Sequence, residues 1–243
     1  RVLFRSEIRR QKYQNSSYLV VSVRHYLETH YAETVSIAAM AQKMEMSESH
    51  LIAAFRKETG TDFYQNSLIK ALALWEEVRK IDKNPAAIMA DDSGICVDAL
   101  NGAPGVWSAR YAGPDFMKGR PDGKKISQEE QNKCLIEQTS SALAEGQPKN
   151  GFLFQNGPRS CHYSCSMVLL LNPSRFFVAQ ETMEGTVIDR IEDARGSGGF
   201  GYDPIIYLPQ FQKTVAELSA DKKNAVSHRG KATRAILKII QGL

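Results

Sequence analysis

The sequence predicts an α/β protein with a mixed central sheet and flanking helices, preceded by a small all-α segment. Two observations predict this fold class. After Gly60, short apolar stretches of strand character alternate with helical patterns and glycine-rich loops. Before that point, apolar residues recur at helical spacing. We therefore divide the chain into residues 1–57 and residues 58–243, and interpret residues 1–6 as a remnant outside the fold.

The composition is that of a globular protein rather than a disordered or fibrous one. The 243 residues are 42% hydrophobic and 24% charged. The longest apolar run is about half a dozen residues, whereas a membrane-spanning helix needs about 20, so the sequence predicts no membrane span. Four cysteines and no secretory leader are typical of a reducing compartment, and we expect a cytoplasmic protein.

Charge is distributed unevenly along the chain. Residues 1–57 hold nine Lys and Arg against five Asp and Glu, whereas the remainder holds 22 of each. Such an asymmetry is typical of a segment that faces nucleic acid or another anion, and equally of a solvated basic terminus without a partner. Charge alone leaves both interpretations open.

Residues 18–63 contain the string YLETHYAETVSIAAMAQKMEMSESHLIAAFRKETGTDF. It resembles one helix-turn-helix unit of the AraC-type transcription regulators, which are built from two such units; only one is visible here. The resemblance implies DNA contact through residues 36–57, with a helix in the major groove. The alternative is a three-helix bundle that does not contact DNA. Glu45 stands where those regulators usually have a turn glycine.

In the second region, helical and strand patterns follow one another in the order expected of an α/β domain. We predict helices over 66–80 and 128–143, strands over 86–90, 96–100, 162–171 and 176–182, and mostly helix from 214 to the end.

Two adjacent carboxylates, Asp91 and Asp92, come directly after the first predicted strand and before Ser93. Because side chains alternate along a strand, one carboxylate would face the ligand cleft while the other turns back. The first would hold a divalent cation and water, and hard oxygen ligands favour Mg²⁺. A solvated turn that merely follows a strand is the alternative.

Two further clusters carry groups suited to a flat anionic ligand. In ARGSGGFGYDP (194–204), glycines allow close backbone approach, Phe200 could stack on a base, and Asp203 could read hydrogen-bonding edges. Near the last helix, Lys223, His228 and Arg229 suit phosphate or carbonyl oxygens. An ordinary glycine turn and a structural histidine are the alternatives.

Taken together, four ordered strings resemble the inosine triphosphate pyrophosphatase family: ETGTDFYQNSLIKA, ADDSGICVDALNGAPGVWSARYAG, GSGGFGYDPIIYLP and KTVAELSADKKNAVSHRGKA. The resemblance implies a nucleotide cleft and Mg²⁺-dependent hydrolysis of ITP, dITP and XTP to monophosphate and pyrophosphate, usually by a homodimer. It implies Asp92 as general base, and Asp92 with the adjacent Asp91 as metal ligands. It also implies substrate contacts from Lys70, Ser93, Phe200, Gly201, Tyr202, Asp203, Lys223, His228 and Arg229. Of these, Lys70 would bind the phosphates and residues 200–203 the base.

The family's N-terminal phosphate loop has no counterpart in residues 1–57, where the regulator-like segment stands. The two resemblances meet at KETGTDF (57–63), a string that suits both families. A gene fusion, or a spurious join of two reading frames, would most easily occur at such a string. Since a lost transition-state donor costs about 10² to 10³ in rate, we expect impaired activity. The alternative function is a DNA-binding regulator fragment fused to an inert or nucleotide-sensing module.

Overall fold

The computed structural model describes residues 62–83, 85–146, 157–197 and 199–243. The predicted helix-turn-helix segment, apart from Asp62 and Phe63, and the predicted domain boundary after residue 57 lie outside the described residues. The elements, in chain order, are α1 (Phe63–Val78), β1 (Ile88–Val97), β2 (Ala103–Pro104), α2 (Gln128–Ala144), β3 (Ser160–Asn172), β4 (Arg175–Val187), β5 (Ile206–Leu208), β6 (Lys213–Thr214), α3 (Ala220–Val226) and α4 (His228–Gln241).

Within the described residues, six strands form one sheet in the order β2-β1-β3-β4-β5-β6, and each neighbouring pair is antiparallel. The long β3–β4 hairpin is the centre of the sheet, and the whole of β1 pairs with β3. The predicted α/β class with a central sheet and flanking helices is confirmed. The prediction of a mixed sheet was wrong for the described strands, because every pair of them is antiparallel.

One strand prediction was wrong. The two short strands predicted over 86–90 and 96–100 are a single ten-residue strand, β1, which is followed by a 3₁₀ turn, Asp98–Leu100. The carboxylates Asp91 and Asp92 therefore lie within the strand, paired with Met167 and Ser166 of β3, rather than after its end. Charged residues are tolerated there because each of the two carboxylates meets a cationic side chain from a helix.

Helices α1 and α4 cover opposite faces of the sheet, as the alternation of side chains along β3 shows. On one face, Ala71 and Trp75 of α1 belong to a cluster with Ile88, Val168 and Leu170. On the other, Ala232 and Ile236 of α4 belong to a cluster with Cys165, Met167 and Leu169. Even-numbered positions of β1 and β3 thus face α1 here, and odd-numbered ones face α4.

Polar caps determine where the helices begin. Asp62 accepts a hydrogen bond from the Gln65 amide and forms a capping box, so α1 begins three residues earlier than predicted. Ser227 accepts a hydrogen bond from the Gly230 amide and caps α4. The main core packs α2 against the far end of the sheet, with Ile95, Tyr111, Leu135, Tyr163 and Tyr202 among its buried side chains. Among the described residues, no helix is long and apolar enough to cross a membrane.

Candidate active site

Asp92 and Lys70 form an ion pair on the α1 face of the sheet. The Lys70 Nζ atom lies 2.5 Å from Asp92 Oδ1, and Asn66 Nδ2 donates to Asp92 Oδ2 at 2.9 Å. The Asp92 side chain is 16% exposed and that of Lys70 53%, so the pair opens to solvent. Asn66 is a site neighbour that sequence reasoning missed, because an amide one turn before Lys70 carries no motif of its own.

Asp91 faces the opposite side, towards α4. Arg229 donates to Asp91 Oδ2 through Nε at 3.1 Å and Nη2 at 2.9 Å, and Nη2 also reaches Ser93 Oγ at 3.0 Å. The structure thus brings together three predicted site residues. The side chains of Asp91 and Asp92, which were predicted to bind the metal together, point to opposite faces of the sheet. This geometry therefore does not favour a single ion held by both carboxylates.

Asp203 is the centre of the glycine-rich turn. It is 1% exposed, and its Oδ2 accepts from the Phe200 amide at 2.8 Å and from Lys223 Nζ. Gly199 has a φ of +87°, and a Cβ there would collide with both the Asp203 carboxylate and the Lys223 ammonium group. A glycine is therefore required for the turn to close over this ion pair.

A cavity of about 650 Å³ lies between the glycine-rich turn and the last two helices. Its walls combine an aromatic ring, an acid and several cations, as expected of a pocket for a base that carries phosphate. The lining residues are Met183, Gly199, Phe200, Asp203, Ala220, Lys223, Asn224, Ser227, His228, Arg229, Gly230, Thr233 and Arg234.

His228 enters this cavity as a neutral imidazole. Its residue is 7% exposed, and burial, together with the nearby Arg229 and Lys223, lowers its pKa from 6.5 to about 4. Its Nδ1 atom is buried without a hydrogen-bond partner among the described residues. An unpaired buried nitrogen of this kind is costly unless a ligand pairs with it, which favours a ligand-binding role over a purely structural one.

The predicted site residues do not all reach this cavity. Gly201 and Tyr202 line a separate cavity of about 260 Å³, on which Phe200 also borders. The Tyr202 hydroxyl donates to the main-chain oxygen of Ser108 at 2.8 Å. Gly201 lies so close to the side chain of Gln128 that a Cβ at this position would clash with it. Both residues hold the turn against its surroundings. The predicted nucleotide cleft is therefore not one cavity that all predicted site residues line, since Asp92 and Lys70 also lie on the other face of the sheet.

Comparison with known proteins places this geometry in a family. The model of the Ham1 family matches residues 23–239. A dITP/XTP pyrophosphatase of Treponema denticola is 43% identical over 187 residues, which cover 76% of this chain and 80% of that protein. One of Desulforamulus reducens is 35% identical over 187 residues, which cover 77% of this chain and 78% of that protein.

Solved structures agree. A HAM1 protein from Coxiella burnetii is similar with a TM-score of 0.58 and 32% identity, over 76% of this chain and 79% of that one. The Ham1 protein of Staphylococcus aureus gives a TM-score of 0.57 and 29% identity over the same shares. The family match begins at residue 23, within the segment that resembles AraC-type regulators. That resemblance and the missing phosphate loop stay predictions, whereas the chain itself belongs to the Ham1 family.

Proposed function

We propose that this chain hydrolyses deaminated purine nucleoside triphosphates, of the ITP, dITP and XTP type, to a monophosphate and pyrophosphate. The observation that carries the proposal is the cavity in which Phe200, the Asp203–Lys223 pair and the neutral His228 converge. Curated relatives at 43% and 35% identity are dITP/XTP pyrophosphatases. They support the same substrate class for this chain.

We assign the chemical step to the α1 face. Asp92 orients a water molecule and takes its proton as the water attacks the α-phosphorus, while the bond from that phosphorus to the leaving pyrophosphate breaks. Lys70, whose ammonium group is beside Asp92 and half exposed, binds phosphate oxygens and offsets their charge. Asp91, held by Arg229, serves as the structural acceptor that ties β1 to α4.

Mg²⁺ fits the oxygen donors near Asp92. Ser166 is the β3 partner of Asp92, and its hydroxyl is buried without a hydrogen-bond partner among the described residues. No described group of three or more His, Cys, Asp or Glu could hold an ion unaided. Mg²⁺ is usually held by one or two carboxylates completed by substrate phosphates, which matches Asp92 alone. When bound, the ion would neutralise charge that spreads over the phosphate oxygens.

Recognition of the base belongs to the cavity on the α4 side. Hypoxanthine and xanthine carry an oxygen at position 6 where adenine carries an amino donor. Lys223 and Arg229 supply donors to such an oxygen. A donor that the bound base shields from water but that faces an amino group is unpaired, which costs affinity. Phe200 offers its ring to the flat face of the base. This arrangement supports a preference for 6-oxo purines.

Three finer points belong to the proposal. We expect a reduced rate, because no string in residues 1–57 resembles the family's phosphate loop. The chain forms a homodimer, as the resemblance implies, and analytical ultracentrifugation tests this.

The chain works in the cytoplasm. Free thiols are typical of a reducing compartment, and the four cysteines are all free: Cys96, Cys134, Cys161 and Cys165.

The test is pyrophosphate release from ITP and from ATP by the purified chain with Mg²⁺. We expect release from ITP to exceed that from ATP, and Asp92→Asn to lower kcat by about 10² to 10⁴. Asp115→Asn, which removes an exposed carboxylate in the turn Pro114–Phe116, is the matched control. Equal hydrolysis of both nucleotides, or full activity of Asp92→Asn, would contradict the proposal.

A further inference from the structure

Tyr163 lies in the middle of β3, is fully buried, and contacts three of the cavity residues at once. Its hydroxyl donates to Asp203 Oδ1 at 3.0 Å. Its ring stacks on that of His228, with centroids 5.0 Å apart and planes 9° apart. It also meets the Phe200 ring edge-on, with centroids 5.6 Å apart and planes 82° apart. No sequence motif singled out this residue.

The hydroxyl determines which oxygen of Asp203 is available. Oδ2 already accepts from the Phe200 amide and from Lys223, so the bond from Tyr163 is the one that occupies Oδ1. A buried carboxylate oxygen that accepts no hydrogen bond destabilises the fold, so a ligand that donates to it is favoured. If the hydroxyl were absent, the amino group of adenine is a donor that could satisfy Oδ1. A 6-oxo purine has no donor at position 6.

The ring determines how His228 is held. The parallel stack on the Tyr163 ring leaves the His228 imidazole little freedom to tilt. The edge-on contact with Phe200 restrains the Tyr163 ring in turn. Since His228 lies at the N-terminus of α4 and its Nδ1 has no partner among the described residues, its orientation depends on this packing rather than on hydrogen bonds of that nitrogen.

We propose that Tyr163 is a specificity-determining positioning residue, which already satisfies Asp203 Oδ1, so that the amino group of a 6-amino purine gains little by bonding there, and which holds His228 flat against the cavity. The inference rests on the proposed function and deepens it. Tyr163 touches no reacting atom in this account, so its removal affects base selection and KM rather than the chemical step.

The experiment measures kcat and KM for ITP and for ATP, with Mg²⁺, in the Tyr163→Phe variant and in the parent chain. The substitution removes one hydroxyl and keeps the ring. We expect the ITP to ATP ratio of kcat/KM to fall roughly 10-fold, mainly through a lower KM for ATP, because the freed Asp203 oxygen accepts a hydrogen bond from the adenine amino group. Tyr111→Phe is the matched control, because Tyr111 is equally buried and its hydroxyl donates to Gln138 Oε1 at 2.6 Å.

Three outcomes are decisive. A loss of selectivity in Tyr163→Phe with unchanged selectivity in Tyr111→Phe supports the inference. Selectivity within about 2-fold of the parent in both variants overturns the inference and leaves the proposed function standing. A parent chain that does not distinguish ITP from ATP overturns the proposed function, and the inference with it.

A double-mutant cycle keeps the test independent of folding defects. In an Asp203→Asn background, the ratio of the affinities for inosine monophosphate and adenosine monophosphate is measured by calorimetry with and without Tyr163→Phe. We expect the second substitution to add less than about 2-fold, because its partner has already changed. A full additional loss would show that Tyr163 acts by some route other than Asp203, and would overturn the inference.

Discussion

The ammonium group of Lys70 joins α1 to Asp92: its Nζ lies 2.5 Å from Asp92 Oδ1 and 2.9 Å from the Asp91 main-chain oxygen. Arg229 holds the side chain of Asp91 from the opposite face. One strand therefore presents two adjacent carboxylates to two different helices. This separates the groups assigned to the chemical step from those assigned to the base.

Lys70→Gln should weaken use of the triphosphate. The charge that pairs with Asp92 and is assigned to the phosphates is removed, so kcat/KM for ITP should fall at least about 10-fold, as expected for hydrogen bonds to charged groups. Lys80→Gln is the control, since Lys80 pairs with the exposed Glu77 at the end of the same helix. Steady-state pyrophosphate release measures both. Equal kinetics for the two variants would refute the role given to Lys70.

His228 should make stability depend on pH. Its pKa in the fold is about 4, against 6.5 unperturbed, because of burial. Between these values the unfolded chain binds a proton that the folded chain does not. The free energy of unfolding should therefore fall as pH decreases through this window, by about 2 kcal/mol between pH 7.5 and 5 from this residue.

Urea unfolding of the parent and of His228→Gln at the two pH values isolates this contribution, because other titrating groups are common to both. The parent should lose about 2 kcal/mol more than the variant on acidification. Identical losses would mean that His228 titrates normally in the fold.

Gly199→Ala should damage the cavity more than a glycine substitution elsewhere. Gly199 and Gly123 both have positive φ, +87° and +71°, so an alanine at either costs about 1–2 kcal/mol of backbone strain. Only at Gly199 does the new Cβ meet Asp203 and Lys223; at Gly123 nothing lies within 4 Å. We expect a further loss of stability and a higher KM for ITP at Gly199 alone. Chemical denaturation and kinetics that rank the two variants equally would disprove this.

The sequence predicted elements with clear periodicity better than the arrangement around charged residues. Helix α2 was predicted over 128–143 and observed at Gln128–Ala144. The sequence predicted two strands where the structure has the single strand β1, because Asp91, Asp92 and Gly94 are residue types typical of turns. Here the ladder with β3 and two helical cations outweigh that local preference.

The candidate site was predicted through its motifs, and residues without a motif were missed. Gly199, Phe200, Asp203, Lys223 and His228 do meet at one cavity. Tyr163 was missed because a buried aromatic residue in a strand has the same pattern whether it packs a core or orients a site. Its hydrogen bond to Asp203 joins residues 40 positions apart, and only the folded chain shows it.

The central claim is that Asp92 performs the chemical step and that the cavity lined by Phe200, Asp203 and His228 binds the base. The most direct test measures, for Asp92→Asn, both kcat for ITP and the Kd of inosine monophosphate. We predict that kcat falls by at least about 10² while Kd changes less than about 3-fold. An unchanged kcat, or a loss of monophosphate affinity as large as the loss of kcat, would contradict the claim.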